Sequence, residues 1–376
     1  MTPDSFDFLV IGAGIGGLSA AAELSRHGRV MLIEKESAPC YHSSGRSAAM
    51  FARHYGSAAI RALTDASEAL LNKAARHGFY EALAPEARGI LFVAPAGYDG
   101  PADANEGQVR ITAAQVAELV PLLPAEKVDH GLWDAASCDM DVHAMHLGLA
   151  RILRSHGGEI RTGAELTQAS RGADGWHVVA GGKSLRAAAI VNAAGGWADE
   201  VATLCGAAPL GIEPRRRSAV LIDPPESAAA IRPVQAWPMV FDMDQTVYFK
   251  PEGGKLMLSP MDATPVTPHD CWAEELDIAI AVDRFERLTG LAVQRVSHSW
   301  AGLRSFLPDN EPAIGPDPVI PAFYWLAGQG GSGIKIAAAA AALLAAHATE
   351  SPLPDGLGAE LARFLSPARL TAKAAD

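Results

Sequence analysis

The chain has 376 residues, 49% hydrophobic, 20% charged and 6% aromatic, a size and balance that exclude a mini-scaffold or a disordered chain and leave room for two lobes around one crevice. With 31 Lys and Arg against 43 Asp and Glu the net charge is −12, which argues against nucleic acid or an anionic membrane as partner, so any anion has to be met by locally placed arginines. The four cysteines, Cys40, Cys138, Cys205 and Cys271, stand far apart without a CxxC pair, so reduced thiols are expected, with no disulfide framework and no metal.

No basic n-region precedes the first apolar run, and a cytoplasmic protein is expected. Asp7 to Ile11 reads as a strand buried on both faces, running into Gly12-Ala13-Gly14-Ile15-Gly16-Gly17 and a helix over Leu18 to His27. In this pattern Gly12 permits the tight turn, Gly14 lets the backbone approach a pyrophosphate and Gly17 allows helix to pack closely on strand. Ile15, at the helix start, adds an amide aimed at phosphate. A second strand, Val30 to Ile33, ends at Glu34, 20 residues after Gly14. A carboxylate there accepts a ribose hydroxyl and disfavours a 2′-phosphate. The motif alone fits NAD as well as FAD.

The next segment, Cys40 to Ala49, favours FAD. Its small hydroxyl-rich run, Ser43, Ser44, Arg46, Ser47, Ala48 and Ala49, suits a chain that wraps a pyrophosphate and lets a flavin ring lie close to backbone. Pro95 to Pro101, Pro224 with Pro225, and Pro251 to Gly254 read as turns of a sheet roofing the substrate. Ala189 to Gly196 is another apolar strand ending in small residues, with Ala193, Ala194, Gly195 and Trp197 placed to lie under the dinucleotide. Near the C-terminal end, Gly328 to Lys335 leads into an Ala-rich helix over Ile336 to Ala346, too short to span a membrane. The helix N-terminus, at Gly330, Gly331, Ser332, Gly333, Ile334 and Lys335, would stabilise negative charge on a reduced flavin.

The segments VIGAGIGG, YHSSGRSAA, VNAAGGW, PRRRSA, Tyr248-Phe249-Lys250-Pro251, HSWAGLRSF and GQGGSGI together resemble the D-amino-acid oxidase superfamily of FAD-dependent oxidoreductases over nearly the whole chain. Within it the resemblance is greatest to the bacterial D-arginine and D-amino-acid dehydrogenases. It implies an α/β fold with an α+β second lobe: a Rossmann-like FAD-binding domain over residues 1–84, 143–212 and 299–376, and an antiparallel-sheet substrate domain over 85–142 and 213–298. It adds Lys35 and Leu166 to the cofactor contacts. No cysteine occurs in Trp300 to Phe306, which implies noncovalent FAD.

The resemblance further implies that Arg304 holds a substrate carboxylate and also touches the flavin, a task that suits a bidentate guanidinium. Tyr248 and Tyr55 line the same pocket, with Arg216 or Arg217 as a weaker wall candidate. The chain departs from the arginine-preferring pattern by Gly89 in place of an acid, Met50 in place of a histidine and Ser332 in place of a lid tyrosine, while Glu86 lies close by in sequence. These departures move the expected substrate from a cationic to a neutral side chain. The expected reaction is hydride transfer from Cα of a small amino acid to flavin N5, yielding an imino acid and then a 2-keto acid. Ser259 to Pro268 holds no lysine to activate oxygen, so a quinone or carrier is the expected electron acceptor. Oxidation of a secondary amine or a 2-hydroxy acid is the alternative chemistry, and a non-catalytic FAD-binding subunit the alternative role.

Overall fold

In the computed structural model of the protein, residues 4–101, 104 and 106–371 are described. Strand Asp4–Ile11 starts three residues before the apolar run that predicts it, and lies between Val30–Ile33 and Lys183–Asn192, parallel to both. Glu159–Arg161 flanks the former and Phe323–Ala327 the latter, again parallel. The order reverses at Asp4–Ile11, and in such sheets the crevice outside the strands' carboxyl ends at the reversal receives ligands. A hairpin, Leu166–Gly172 with Gly175–Ala180, and strand Ala313–Pro316 extend the sheet antiparallel.

Helices Ile15–Leu24, Ala58–Arg76, Val142–Ser155 and Gly333–Ala348 contribute to a single apolar core over this sheet. The last is the predicted Ala-rich helix. Apolar almost all round, it is stable only when enclosed, and its small side chains let Ile15–Leu24 and Ala58–Arg76 pack against it. Among the described residues no helix is long and apolar enough to cross a membrane.

The second sheet holds Ile90–Pro95, Val109–Thr112, Val128–Asp134, Glu213–Ile222, Met239–Asp242, Tyr248–Glu252, Lys255–Ser259 and Val296–Phe306, with a two-residue strand, Thr264–Pro265, at its edge. It is not wholly antiparallel as expected. Met239–Asp242 runs parallel to Ile90–Pro95, the long intervening chain providing the crossover that a parallel pair needs. Pro251 lies inside strand Tyr248–Glu252 rather than in a turn. The reversal falls to Gly253 and Gly254, whose φ values of 56° and 81° suit residues without a Cβ. Strand Val296–Phe306, mostly within the segment expected in the cofactor domain, pairs along its length with Glu213–Ile222 in this roofing sheet. A small third sheet joins Met50–Phe51, Leu83–Ala87 and Cys138–Met140.

Candidate active site

The crevice opens where the two sheets meet. On the dinucleotide side the predicted turn has the geometry its glycines require. Gly12 has φ 97°, and a Cβ at Gly17 would stand 1.8 Å from the Gly12 carbonyl oxygen, so helix and turn touch backbone to backbone. Gly17 therefore acts by packing and is not itself among the crevice-lining residues, unlike Gly12, Gly14 and Ile15. Glu34 Oε2 accepts from Ala13 N at 2.7 Å and Oε1 from Glu36 N at 3.0 Å, which fixes the carboxylate at the crevice floor with lone pairs remaining. Helix Ile15–Leu24 has no acidic residue in its first turn, so its N-terminal dipole faces the crevice uncompensated.

Three segments close over this floor. Ser44 Oγ accepts from Ile15 N at 2.9 Å, and Ser43 Oγ donates to Leu303 O. Arg46 lines the crevice, but its guanidinium is committed elsewhere: Nη1 donates to Cys271 O at 2.9 Å and Ala301 O at 3.0 Å, and Nη2 meets Asp270. Arg46 thereby fastens its own segment to the strand that carries Arg304. Ser47, Ala48 and Ala49 follow along the wall, Ala49 at φ 52°. Lys35 lies 3.6 Å from the ring centroid of Trp197, and both line the crevice with Leu166, Ala193, Ala194 and Gly195.

The final Gly-rich loop supplies Gly330, Gly331, Gly333 and Ile334. Ser332, expected as both a catalytic and a cofactor residue, is not among the lining residues. It stands at the N-cap of Gly333–Ala348, where the chain turns into the helix, and makes no side-chain cap. Gln329, missed in the sequence reading, lines the crevice beside Gly16 with a buried Nε2 that has no acceptor among the described residues. A buried amide donor without a partner is costly, and with the bare glycine cradle opposite it suits a dinucleotide's oxygens. Lys335 is buried rather than solvated: Nζ donates to Ala52 O at 2.8 Å and to Tyr55 O, and burial pushes it down to about 8.

On the roof side, the period of two along a strand separates three consecutive arginines. Arg216 points away from the crevice into an ionic cluster with Glu274 and Asp277, whereas Arg217 faces in. Arg217 pairs in register with Gly302, two residues from Arg304 on the neighbouring strand, so both guanidiniums share one face. Nε of Arg217 donates to Asp262 O at 2.6 Å; burial, then the charge of Arg304, push the group down to about 10. Arg304 lines the crevice against Gly331, and among the described residues no carboxylate or carbonyl accepts from it. Two cations thus face one end of the cavity, Arg217 with Asp262 at 3.8 Å from its Nε and Arg304 with no acceptor among the described residues.

Buried Tyr248, half-exposed Tyr55 and Met50 complete this end, Tyr55 stacking on Phe241 at 6.3 Å. Gly89, at φ 76°, is roofed by Trp133: a Cβ there would stand 1.9 Å from the indole. An acid at that position has no room, and Glu86 is exposed and does not line the crevice. Met239, Phe241, Met257 and Met261 line it too, none of them signalled by a local motif.

The model of the DAO family, FAD dependent oxidoreductases, matches residues 7–347. Mitochondrial dimethylglycine dehydrogenase of Mus musculus is 30% identical over 157 residues, 42% of this chain and 18% of that protein. The bifunctional tRNA 5-methylaminomethyl-2-thiouridine biosynthesis protein of Polaromonas sp. is 27% identical over 392 residues, 96% of this chain and 59% of the relative. The chain therefore spans less than two thirds of these curated relatives. Among solved structures, L-proline dehydrogenase from P. horikoshii superposes with a TM-score of 0.81 at 20% identity, covering 99% of both chains. Glycine oxidase from Geobacillus kaustophilus gives 0.77 at 19% over 96% of this chain and 98% of that one. L-alpha-glycerophosphate oxidase from Mycoplasma pneumoniae, with FAD bound, gives 0.80 at 19% over 92% and 95%. The dinucleotide cradle and the family match over nearly the whole chain lead to one conclusion: the protein belongs to the DAO family of FAD-dependent oxidoreductases.

Proposed function

We propose that the protein oxidises the C–N bond of a small amino acid, a D-amino acid with a neutral side chain, releasing an imino acid that hydrolyses to a 2-keto acid and ammonia. The observation that carries this reading is Arg304, a guanidinium in the crevice with no acceptor among the described residues, beside a second one, Arg217. A carboxylate satisfies both cations, and the planar fork of Arg304 fixes its orientation.

FAD, when bound, supplies the acceptor for the hydride leaving Cα. Arg304 and Arg217 hold the carboxylate, and Tyr248 and Tyr55 offer hydroxyls to the carboxylate or amine. Holding the reactants in register supplies on the order of 7 to 11 kcal/mol of the barrier. Helix Gly333–Ala348, with no acid in its first turn, directs its positive end toward the crevice and favours negative charge there. No cysteine occupies Trp300 to Phe306, which supports a noncovalent cofactor. The dimethylglycine, proline and glycine enzymes among the similar proteins favour C–N chemistry. The glycerophosphate oxidase supports C–O oxidation in the same fold, which keeps a 2-hydroxy acid as the second reading.

For the electron acceptor we favour a quinone or carrier. Ser259 to Pro268 holds no lysine, and Lys335, which does line the crevice, has its ammonium on two backbone carbonyls. The deciding experiment is anaerobic mixing of the yellow protein with D- and L-forms of neutral amino acids and with 2-hydroxy acids, followed by oxygen. Bleaching by D-amino acids with slow return of colour in oxygen is expected. Bleaching only by hydroxy acids, or return within milliseconds, overturns the corresponding part.

A further inference from the structure

The roof-side wall of the crevice is built from thioethers. Met50, Met239, Met257 and Met261 line it, and Met243 continues it into an adjoining cavity that shares Tyr55 and Ile90. Five of the nine methionines in the chain thus gather around one site from separate stretches of sequence. The buried core on the other face of the same sheet, around Val220, Phe249 and Leu258, contains none. Thioethers therefore mark the cavity wall and not the sheet in general.

Charge points the same way. The acids lining the crevice are Glu34, Glu165 and Glu200, all contributed by the parallel-sheet lobe, and Trp133 fills the space over Gly89. Within the crevice itself the thioether wall presents neither a carboxylate for a cationic side chain nor, beyond the two arginines and the carbonyl-bound Lys335, a cation for an acidic one, while Asp134, Arg61 and His54 stand in the adjoining cavity past Tyr55. Methionine is unbranched and polarisable, with three rotatable bonds, so a wall of it re-packs around differently shaped apolar groups, as adaptable binding surfaces do.

We propose that this wall is the side-chain subsite and that it makes the enzyme broad in range, accepting branched, thioether and aromatic side chains alike while rejecting charged ones. The proposal rests on Arg304 holding the substrate carboxylate. Its test is binding first, so that it can fail separately from the reaction assigned above. Affinities of amine-free acids, 4-methylpentanoate, 3-phenylpropanoate, succinate and 6-aminohexanoate, are read from perturbation of the flavin spectrum of the holoenzyme.

The two apolar acids should bind within about tenfold of each other, and the charged-tail acids more than about tenfold weaker, the scale on which apolar pockets discriminate. The kcat/KM values for leucine, methionine and phenylalanine should follow the same grouping. Met239→Leu with Met257→Leu replaces flexible by branched walls and should shift the ratio of 3-phenylpropanoate to 4-methylpentanoate affinity by about tenfold. A wild-type preference for one apolar acid beyond about 100-fold, or succinate or 6-aminohexanoate binding as well as the apolar acids, overturns the proposal. If the acids group as expected but no amino acid bleaches the flavin, the subsite stands and the amino-acid reaction falls.

Discussion

Arg304 presents its guanidinium in a crevice where no described residue offers it an acceptor, and Arg217 beside it is pushed down to about 10 by burial and by that neighbour. An incoming carboxylate relieves both. Arg304→Ala should raise KM steeply and lower kcat/KM by about 30- to 5,000-fold, the cost of about 2–5 kcal/mol expected for truncating one partner of a buried charge pair. Arg304→Lys keeps the charge but loses the fork and should recover only part of it. Because Arg217 meets the same anion, the double alanine variant should lose less than the sum of the single losses.

Lys335 makes a second prediction at this scale. Burial lowers it from 10.5 to about 8, so between those values the unfolded chain binds more protons than the folded one and stability rises with pH. Charged lysine in the fold costs about 3 kcal/mol below pH 8, and that cost fades toward pH 10.5. The difference in urea midpoint between wild type and Lys335→Met should therefore change across that window; a constant difference would contradict a depressed lysine.

Single residues were legible to different degrees. The resemblance left Arg216 and Arg217 as alternatives for the pocket wall, and only the strand pairing with Val296–Phe306 decides between them. Gln329 carried no signal beyond being a polar residue among glycines. Composition placed Arg46 in a segment that suits the cofactor, but could not show that the Cys271 and Ala301 carbonyls lie within its reach.

Elements whose logic is local were the most legible. Strand, glycine turn, helix and acid occupy one short stretch, and each glycine answers a contact inside it. Gly17→Ala would drive a methyl into the Gly12 carbonyl at 1.8 Å. The helix must lift from the turn, so the variant should emerge colourless or with FAD bound far more weakly, at a cost of about 1–3 kcal/mol or more in stability. Retention of stoichiometric flavin would show that the turn yields more readily than its geometry indicates. The thioether wall was illegible for the opposite reason, since its members come from three separate stretches, around residues 50, 239–243 and 257–261, that only the folded sheets bring together.

Across the whole molecule, the cofactor crevice and the roof are joined by one strand. Val296–Phe306 pairs in the roofing sheet, while its Ala301 and Leu303 carbonyls accept from Arg46 and Ser43 of the segment that closes over the cofactor. The two halves should therefore melt together, and FAD at about 100 times its Kd should raise stability by about 2.7 kcal/mol in a single transition. Two separate calorimetric transitions, with only one moved by FAD, would contradict that coupling.

The same strand also sets an order of events during synthesis. Ser43 meets Leu303 across 260 residues of sequence, so at ribosomal rates of roughly 5–20 residues per second the N-terminal loop waits on the order of 13–52 s for its partner. Until then the glycine cradle has a floor and no roof, and the flavin has nothing to hold it in place. Cofactor capture in this way waits on the synthesis of Leu303, and nascent chains halted before residue 296 should gain no protease protection from FAD.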